Sequence, residues 1–305
     1  MNGKALLDDL KQWLVRFVIL PKWVAETVVL WIVHTYAFEL RRVSTYLGIE
    51  SPESECGKTT LMTLLSKVVN RPLPASNISS PAFYRAIHEL RPTLLIDEAD
   101  TLLPGNAQLR GILNAGYTRE LAYVLRVVNE AGGSKLARYS CWGPKAIAQI
   151  GHLPDTLRTR CIILPMQKKT EEEACEPLPE EDATLARLRA QCARFVQDNA
   201  DTIAVRRPEL PKILSDRAAQ IWEPLVLLAD LAGADWPEAA AGLSAKAAEH
   251  NPISALLFAV WLSFRVVGAD RIFSRATNCP KRKGRKGEKG SGRKGVLSIA
   301  KSAAV

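Results

Sequence analysis

Apolar side chains recur at helical spacing at Leu6, Leu10, Leu14, Phe17 and Val18, which predicts a helix at the start of the chain. Pro21 breaks the pattern, and a second helical run extends from Val24 to about Leu40. A strand-like run, Val43 to Ile49, leads into the polar loop Ser51-Pro52-Glu53-Ser54-Glu55-Cys56. Gly57, Lys58 and Thr59 then open a helix that continues through Val69. Pro72, Pro74 and Asn77 punctuate the chain, and Pro81 starts another helix through Leu90. Thr93 to Ile96 reads as an apolar strand and Asn106 to Gly116 as a helix. Ala122 to Val128, Leu136 to Trp142 and Cys161 to Leu164 read as further strands. This alternation predicts an α/β fold with a parallel sheet flanked by helices. An acidic stretch, Glu171 to Asp182, reads as a linker, and Ala183 to about Asp270 reads as all-helical.

Composition adds three constraints. With 47% hydrophobic and 24% charged residues, the 305-residue chain can bury a sizeable core. The net charge of +9 is concentrated in one place: residues 275–305 hold ten basic side chains and the acid Glu288, leaving 31 basic and 31 acidic residues in 1–274. The six cysteines form no CxxC pair, and His34, His88, His152 and His250 lack metal-ligand spacing, so reduced thiols and a cytoplasmic setting are expected. No signal-peptide pattern opens the chain. The most apolar runs, Thr27 to Phe38 and Ile253 to Phe264, are twelve residues each, and about 20 are needed to span a bilayer. Trp13, Trp23 and Trp31 fit a helical apolar face, and Trp222 and Trp236 likewise read as packing residues.

Candidate chemistry lies in two motifs. Gly57-Lys58-Thr59-Thr60 follows a strand and opens a helix, where successive N–H groups and the positive helix end attract phosphate. Lys58 would reach the β- and γ-phosphates, and the Thr59 hydroxyl would ligate Mg²⁺. The pattern GxxxxGK[ST] places glycine at position 52, where this chain has Pro52. The second motif, Asp97-Glu98, ends the strand Thr93 to Ile96, 39 residues after Lys58. Asp97 would support the metal, and Glu98 would polarise the attacking water. That spacing leaves room for a helix–strand–helix crossover between neighbouring strands.

With these motifs the chain resembles P-loop ATPases of the AAA+ type. It is most similar to an uncharacterised ATPase domain family of bacterial chromosomes, plasmids and prophages, associated with replication and primase modules. The matching stretches include Ser51-Pro52-Glu53, Cys56 to Thr60, Arg91 to Asp100, Leu109 to Asn114, Gly143 to Ala148, Leu153 to Leu157, Ser215 to Ala219 and Ala229 to Gly233. Family members also carry proline at the first loop position. The resemblance implies a three-layer P-loop core over 43–170, an N-terminal helical segment over 1–42 and a helical lid over 183–274. It places nucleotide against Glu53, Ser54, Glu55, Cys56, Gly57, Lys58, Thr59 and Thr60. It implies that Arg160, with Arg158 as competitor, completes the site of a neighbouring subunit in a homo-oligomer. Arg217 would close the lid over nucleotide, and Ser140 or Lys145 would sense the γ-phosphate.

The functional expectation is a Mg²⁺-dependent ATPase that moves on DNA, as a helicase or replication-initiation motor of a mobile element. The alternative is a nucleotide-switched DNA-binding or adaptor protein with little turnover. The tail over 275–305, with Lys281, Arg282, Lys283, Arg285, Lys286, Lys289, Arg293 and Lys294, reads as a disordered phosphate-neutralising segment for nucleic acid.

Overall fold

A computed structural model describes residues 1–75, 78–130, 133–180 and 182–249. The basic tail, the apolar run Ile253 to Phe264 and His250 lie outside these residues. Two helices open the chain: α1 (Gly3–Val15) and α2 (Lys22–Ala37), the latter running into a 3-10 turn over Phe38–Leu40. Next come β1 (Tyr46–Ser51), α3 (Lys58–Val68), β2 (Pro72–Pro74), α4 (Ser80–Leu90), β3 (Thr93–Ile96), α5 (Ala99–Leu102) and α6 (Ala107–Ala115). The chain then forms β4 (Tyr123–Glu130), β5 (Gly133–Ser140), β6 (Lys145–Ile150), α7 (Asp155–Arg158) and β7 (Cys161–Pro165). Helices α8 (Ala183–Asp198), α9 (Ala200–Val205), α10 (Asp216–Ala232) and α11 (Trp236–Glu249) follow.

Five strands form one parallel sheet in the order β2-β3-β6-β1-β7. Every position of β1 and β3 is buried, as a sheet covered on both faces requires. Alternate side chains feed two separate cores. Leu47, Ile49, Leu95, Ala146, Ala148, Ile162 and Leu164 join the core with α1, α2, α3, α8 and α10. Tyr46, Leu94, Ile96, Ile147 and Cys161 face the other, with α4, α6 and α7. The result is a helix–sheet–helix sandwich of three layers.

Two expectations change here. The runs at 122–128 and 136–142 do not enter the parallel sheet. As β4 and β5 they pair with each other, antiparallel, in a separate two-stranded ribbon. The parallel sheet takes instead a strand that the hydrophobic pattern does not announce, β6, and the short proline-bounded β2. Strand β6 lies between β1 and β3, so the strands bearing the two motifs are not neighbours.

The termini of the described chain share one core. Helix α1 is capped by Asn2, whose side chain accepts from the Ala5 N–H at 3.1 Å. A Cβ at Gly3 would meet the Ala232 Cα at 2.6 Å, so α1 seats directly on the end of α10. The buried Arg41 donates to the carbonyls of Ile203 and Arg206 and pairs with Glu223 at 2.5 Å, tying the N-terminal helices to α9 and α10. The Thr27 to Phe38 run is internal packing: Thr27 to Thr35 of α2 is buried throughout. Among the described residues no helix is long and apolar enough to cross a membrane. Trp13, Trp31, Trp222 and Trp236 are buried in the core, as their spacing implied, and Trp23 packs against it.

Lys145 is the unusual member of this core. It opens β6 with 1% exposure, and its Nζ bonds the Tyr46 hydroxyl at 2.9 Å, the Cys141 carbonyl at 3.0 Å and the Gly143 carbonyl at 2.9 Å. Burial lowers its pKa to about 7. A neutral amine satisfies the same three partners by donating to both carbonyls and accepting from the tyrosine. In the unfolded chain the lysine holds its proton to about pH 10. Its burial penalty is therefore present below pH 7 and is relieved as pH rises. Between pH 7 and 8.5 the wild type should gain about 2 kcal/mol relative to Lys145→Met, read from urea melts of both proteins. A constant difference would show that the ammonium stays charged in the core.

Candidate functional site

The sheet sets the site's position. Loop 52–57 leaves the carboxyl end of β1, and Asp97 and Glu98 leave the carboxyl end of β3. From β1 the chain crosses toward β2 on one side, and from β6 it crosses to β7 on the other. Ligands of open parallel sheets bind in the crevice at such a switch point. A cleft of about 700 Å³ lies here, lined by Ser54, Glu55, Cys56, Gly57, Lys58, Thr59 and Thr60 on one wall. Asp97, Glu98, Asp100, Thr101 and Ile150 form a second wall. Phe17, Val18 and Ile19, with the 167–178 stretch, form a third.

The loop turns into the helix through Gly57, whose φ of +81° is left-handed. Helix α3 has no side-chain cap, so its first N–H groups are left to the cleft. The Lys58 ammonium folds back on the loop, donating to the Ser51 hydroxyl and, at 3.2 Å, to the Glu53 carbonyl. Glu53 thus contributes its backbone and does not line the cleft. Glu55 pairs with Lys168 at 3.0 Å, and this hydrogen bond holds its carboxyl below the ordinary range. Cys56 is buried, with its thiol toward the Ser54 carbonyl.

Opposite the loop, Asp97 accepts from the Glu98 N–H at 3.0 Å. Glu98 itself is exposed with φ +54° and ψ +44°. That conformation costs a non-glycine residue on the order of 1 kcal/mol or more. The fold holds it there at the junction of β3 and α5, beside the cleft. Asp100 accepts from the Ile150 N–H at 3.3 Å, which joins this turn to the end of β6.

Five expected residues lie elsewhere. Lys145 stands at the amino end of β6, remote from the cleft, where its ammonium is enclosed by core acceptors. Ser140 ends the β4–β5 ribbon, its N–H bonded to His88. Neither can sense a group in the cleft. The polar residue near the carboxyl end of the central strand is Gln149, 6% exposed and registered beside Glu50. Its only signal in the sequence was an amide closing a short apolar run. Arg217 and Arg160 do not line the cleft. Both guanidinium groups rest on the Tyr117 ring, at 5.3 and 5.2 Å. Arg158, the competitor of Arg160, is bound within the chain: its Nε and Nη2 donate to Glu50 at 3.1 and 3.2 Å. Helices α8 to α11 give the cleft no residue; the stretch 167–178 borders it instead.

Among the described residues no three His, Cys, Asp or Glu side chains are grouped to hold a metal alone. Thr59 and Asp97 both line the cleft, an oxygen pair suited to a hard cation that arrives with phosphates.

Comparison with known proteins gives likenesses of three kinds. Residues 165–276 match a family described as a protein of unknown function, DUF3631, a span that includes the 167–178 stretch of the third cleft wall and Arg217 but neither motif. An uncharacterized 28.9 kDa protein in the xis 5' region of Saccharopolyspora erythraea is 38% identical over 71 residues, covering 22% of this chain. The chain spans about a quarter of that relative, 26% of its length. A solved structure, the A form apo structure of the NrS-1 C-terminal region, aligns over 79% of this chain and 50% of its own. That alignment has 12% identity and a TM-score of 0.33.

The two arginines near α7 differ in their partners, and this generates a prediction. Glu50 is a buried carboxylate also held by the Leu153 N–H and His152. Arg158→Ala should cost about 3 kcal/mol, because it leaves that carboxylate short of a partner. Arg160→Ala should cost less than about 1 kcal/mol, because no carboxylate depends on it. Urea denaturation of both variants measures the difference, and equal losses would contradict the assignment.

Proposed function

We propose that the cleft binds a nucleoside triphosphate with Mg²⁺ and hydrolyses it. One observation carries the reading. An uncapped eleven-residue helix begins at a left-handed glycine, and it presents Lys58 and Thr59 across a 700 Å³ cleft from Asp97 and Glu98. Free N–H groups at a helix start, a lysine and a hydroxyl are the donors and metal ligand that a polyphosphate needs. The facing carboxylates supply a metal ligand and a water acceptor.

Each side chain then has a task. Lys58 leaves the Ser51 and Glu53 oxygens for stronger, charged phosphate oxygens. Thr59 and Asp97 hold the magnesium ion, which neutralises charge on the phosphates. Glu98, exposed on its turn, orients water toward the terminal phosphate. Ile150, at the end of β6, lines the same crevice. The 167–178 stretch covers the bound nucleotide, a task the sequence had assigned to the helical region 183–274.

Motion on nucleic acid is the proposed use of hydrolysis. Its support is the resemblance set out above and the cluster of Lys and Arg in 281–294. The competing use is a switch that binds nucleotide without turnover.

The test is steady-state hydrolysis of Mg–ATP with and without single-stranded DNA. Lys58→Ala should lose turnover by at least a hundredfold. Glu98→Gln should keep nucleotide affinity within threefold and lose turnover by about 10² to 10³. Wild-type activity in Lys58→Ala would overturn the reading. Nucleotide binding without turnover in the wild type would favour the switch, and turnover indifferent to DNA would remove the nucleic-acid motor.

A further inference from the structure

A cation on the third wall of the cleft has no partner in the protein. Strand β7 ends at Pro165, registered beside Glu50, and the next N–H, of Met166, donates to the Glu50 carbonyl at 2.8 Å. The chain after it therefore runs beside loop 52–57. Two contacts fix its position there. A Cβ at Gly57 would meet the Met166 Cε at 3.6 Å, and the Lys168 ammonium pairs with Glu55 at 3.0 Å. The alternation of a strand continues past Met166: Gln167 and Lys169 line the cleft, and Lys168 between them does not. Lys169 is exposed there and makes no hydrogen bond or ion pair with any described residue.

The carboxylates near this lysine are already neutralised. Glu55 is paired with Lys168, and Glu176 with Arg16 at 2.6 Å. On the second wall, Asp97, Glu98 and Asp100 pair with no described cation. The cleft is thus electrically polar, with uncompensated carboxylates at one end and an uncompensated ammonium at the other. Sheet order sets their spacing. The acids follow β3, two strands from β1 on one side, and Lys169 follows β7, next to β1 on the other. Three strand intervals, about 14 Å, separate the two ends. Lys58 opens α3 after β1, the strand between them. A ligand that satisfies both ends is extended, with a metal-bearing end at the acids and a second anionic group at Lys169. The wall of Lys169 also carries Phe17, Val18, Pro177 and Leu178, an apolar surface for which an inorganic phosphate has no complement.

We propose that Lys169 binds the α-phosphate of a nucleotide in the cleft, and that this contact makes the site select a nucleoside triphosphate over inorganic pyrophosphate. The inference rests on the proposed function, which puts Mg²⁺ and the terminal phosphates at the opposite end. The ammonium gives up no protein partner to make the contact, and a bond to a charged phosphate oxygen is about twice as strong as a neutral one. The Lys168–Glu55 pair ties the backbone that carries Lys169 to the loop that cradles the phosphates, so both arrive on the ligand together. Lys169 stands away from Glu98 and the attacking water. It therefore contributes to holding the nucleotide and not to the chemical step.

The test is calorimetric titration of the full chain with Mg–ATP and, separately, with Mg–pyrophosphate. Lys169→Met should weaken ATP binding about tenfold and pyrophosphate binding less than about twofold. Lys58→Ala, at the other end, should weaken both. Lys169→Arg should recover most of the ATP affinity, because it restores the charge. The unliganded Tm of Lys169→Met should equal that of the wild type, since the lysine touches nothing in the protein, and that equality excludes a folding defect. In steady-state hydrolysis the loss should fall on KM, raised about tenfold, with kcat kept within about threefold. ATP affinity in Lys169→Met within twofold of the wild type overturns the assignment, and so does an equal loss for pyrophosphate. A wild type that binds neither ligand sinks the proposed function and this inference with it. A wild type that binds ATP no better than Lys169→Met sinks this inference alone.

Discussion

The site depends on one buried carboxylate. Glu50 lies one residue before the loop, in the centre of the sheet, with 6% exposure. An unpaired carboxylate there would cost several kcal/mol, so the chain surrounds it. Arg158 reaches it with two donors, the Leu153 N–H with one, and His152 completes the set. These contacts fold residues 150–160 back across the end of the sheet. They fix the path that leaves β6 after Ile150, a residue of the cleft's second wall, and runs to β7. The same pairing occupies Arg158 and leaves Arg160 the arginine without a carboxylate.

The interior repeats this solution in other chemistry. Lys145 is enclosed by two carbonyls and a phenol, and Arg41 by two carbonyls and Glu223. His34 is fully buried and accepts from the Thr45 N–H, and burial lowers its pKa to about 3, so it stays neutral. Each polar group sits where a strand or helix end meets the sheet. They set the register of elements that apolar packing alone would leave free to slide. Lys145 also explains Gly116: a Cβ there would meet the Cys141 carbonyl at 2.3 Å and the Lys145 Nζ at 2.9 Å.

This is also where the sequence misleads. Gly57-Lys58-Thr59 and Asp97-Glu98 were legible because each follows an apolar strand, the acids directly and Gly57 after a short polar loop. Their burial and turn geometry are local. Strand β6 was not legible, because Lys145 opens it and Gln149 interrupts it one residue before its end. Only partners far away in sequence, Tyr46 above all, make a lysine acceptable there. The β4–β5 ribbon had a local sign, Gly132-Gly133 between two β-rich runs, which marks a hairpin more than two sheet strands. Arg217 is harder still. Its stretch read only as part of a long helical region, and the face that it meets depends on how α10 packs beside β7.

The cleft joins a rigid floor to a soft wall. Its floor is the end of a sheet buried on both faces and held by the Glu50 contacts. Phe17 and Val18 of its third wall are buried in the core, and the 167–178 stretch is held by the packing of Leu178 and by exposed pairs, Arg16 with Glu176 at 2.6 Å and Lys168 with Glu55 at 3.0 Å. Exposed ion pairs contribute about 1 kcal/mol or less, and salt weakens them further. The backbone bond from the Glu176 N–H to the Arg16 carbonyl is a single link. Opening this stretch therefore costs little beside breaking the floor, which is the gradient of local stability that a binding site needs. A ligand that bridges loop 52–57 and the 167–178 stretch gains most of its closing contacts from the movable side. Thr59, Asp97 and Glu98, to which the proposal gives the chemistry, stay on the fixed side.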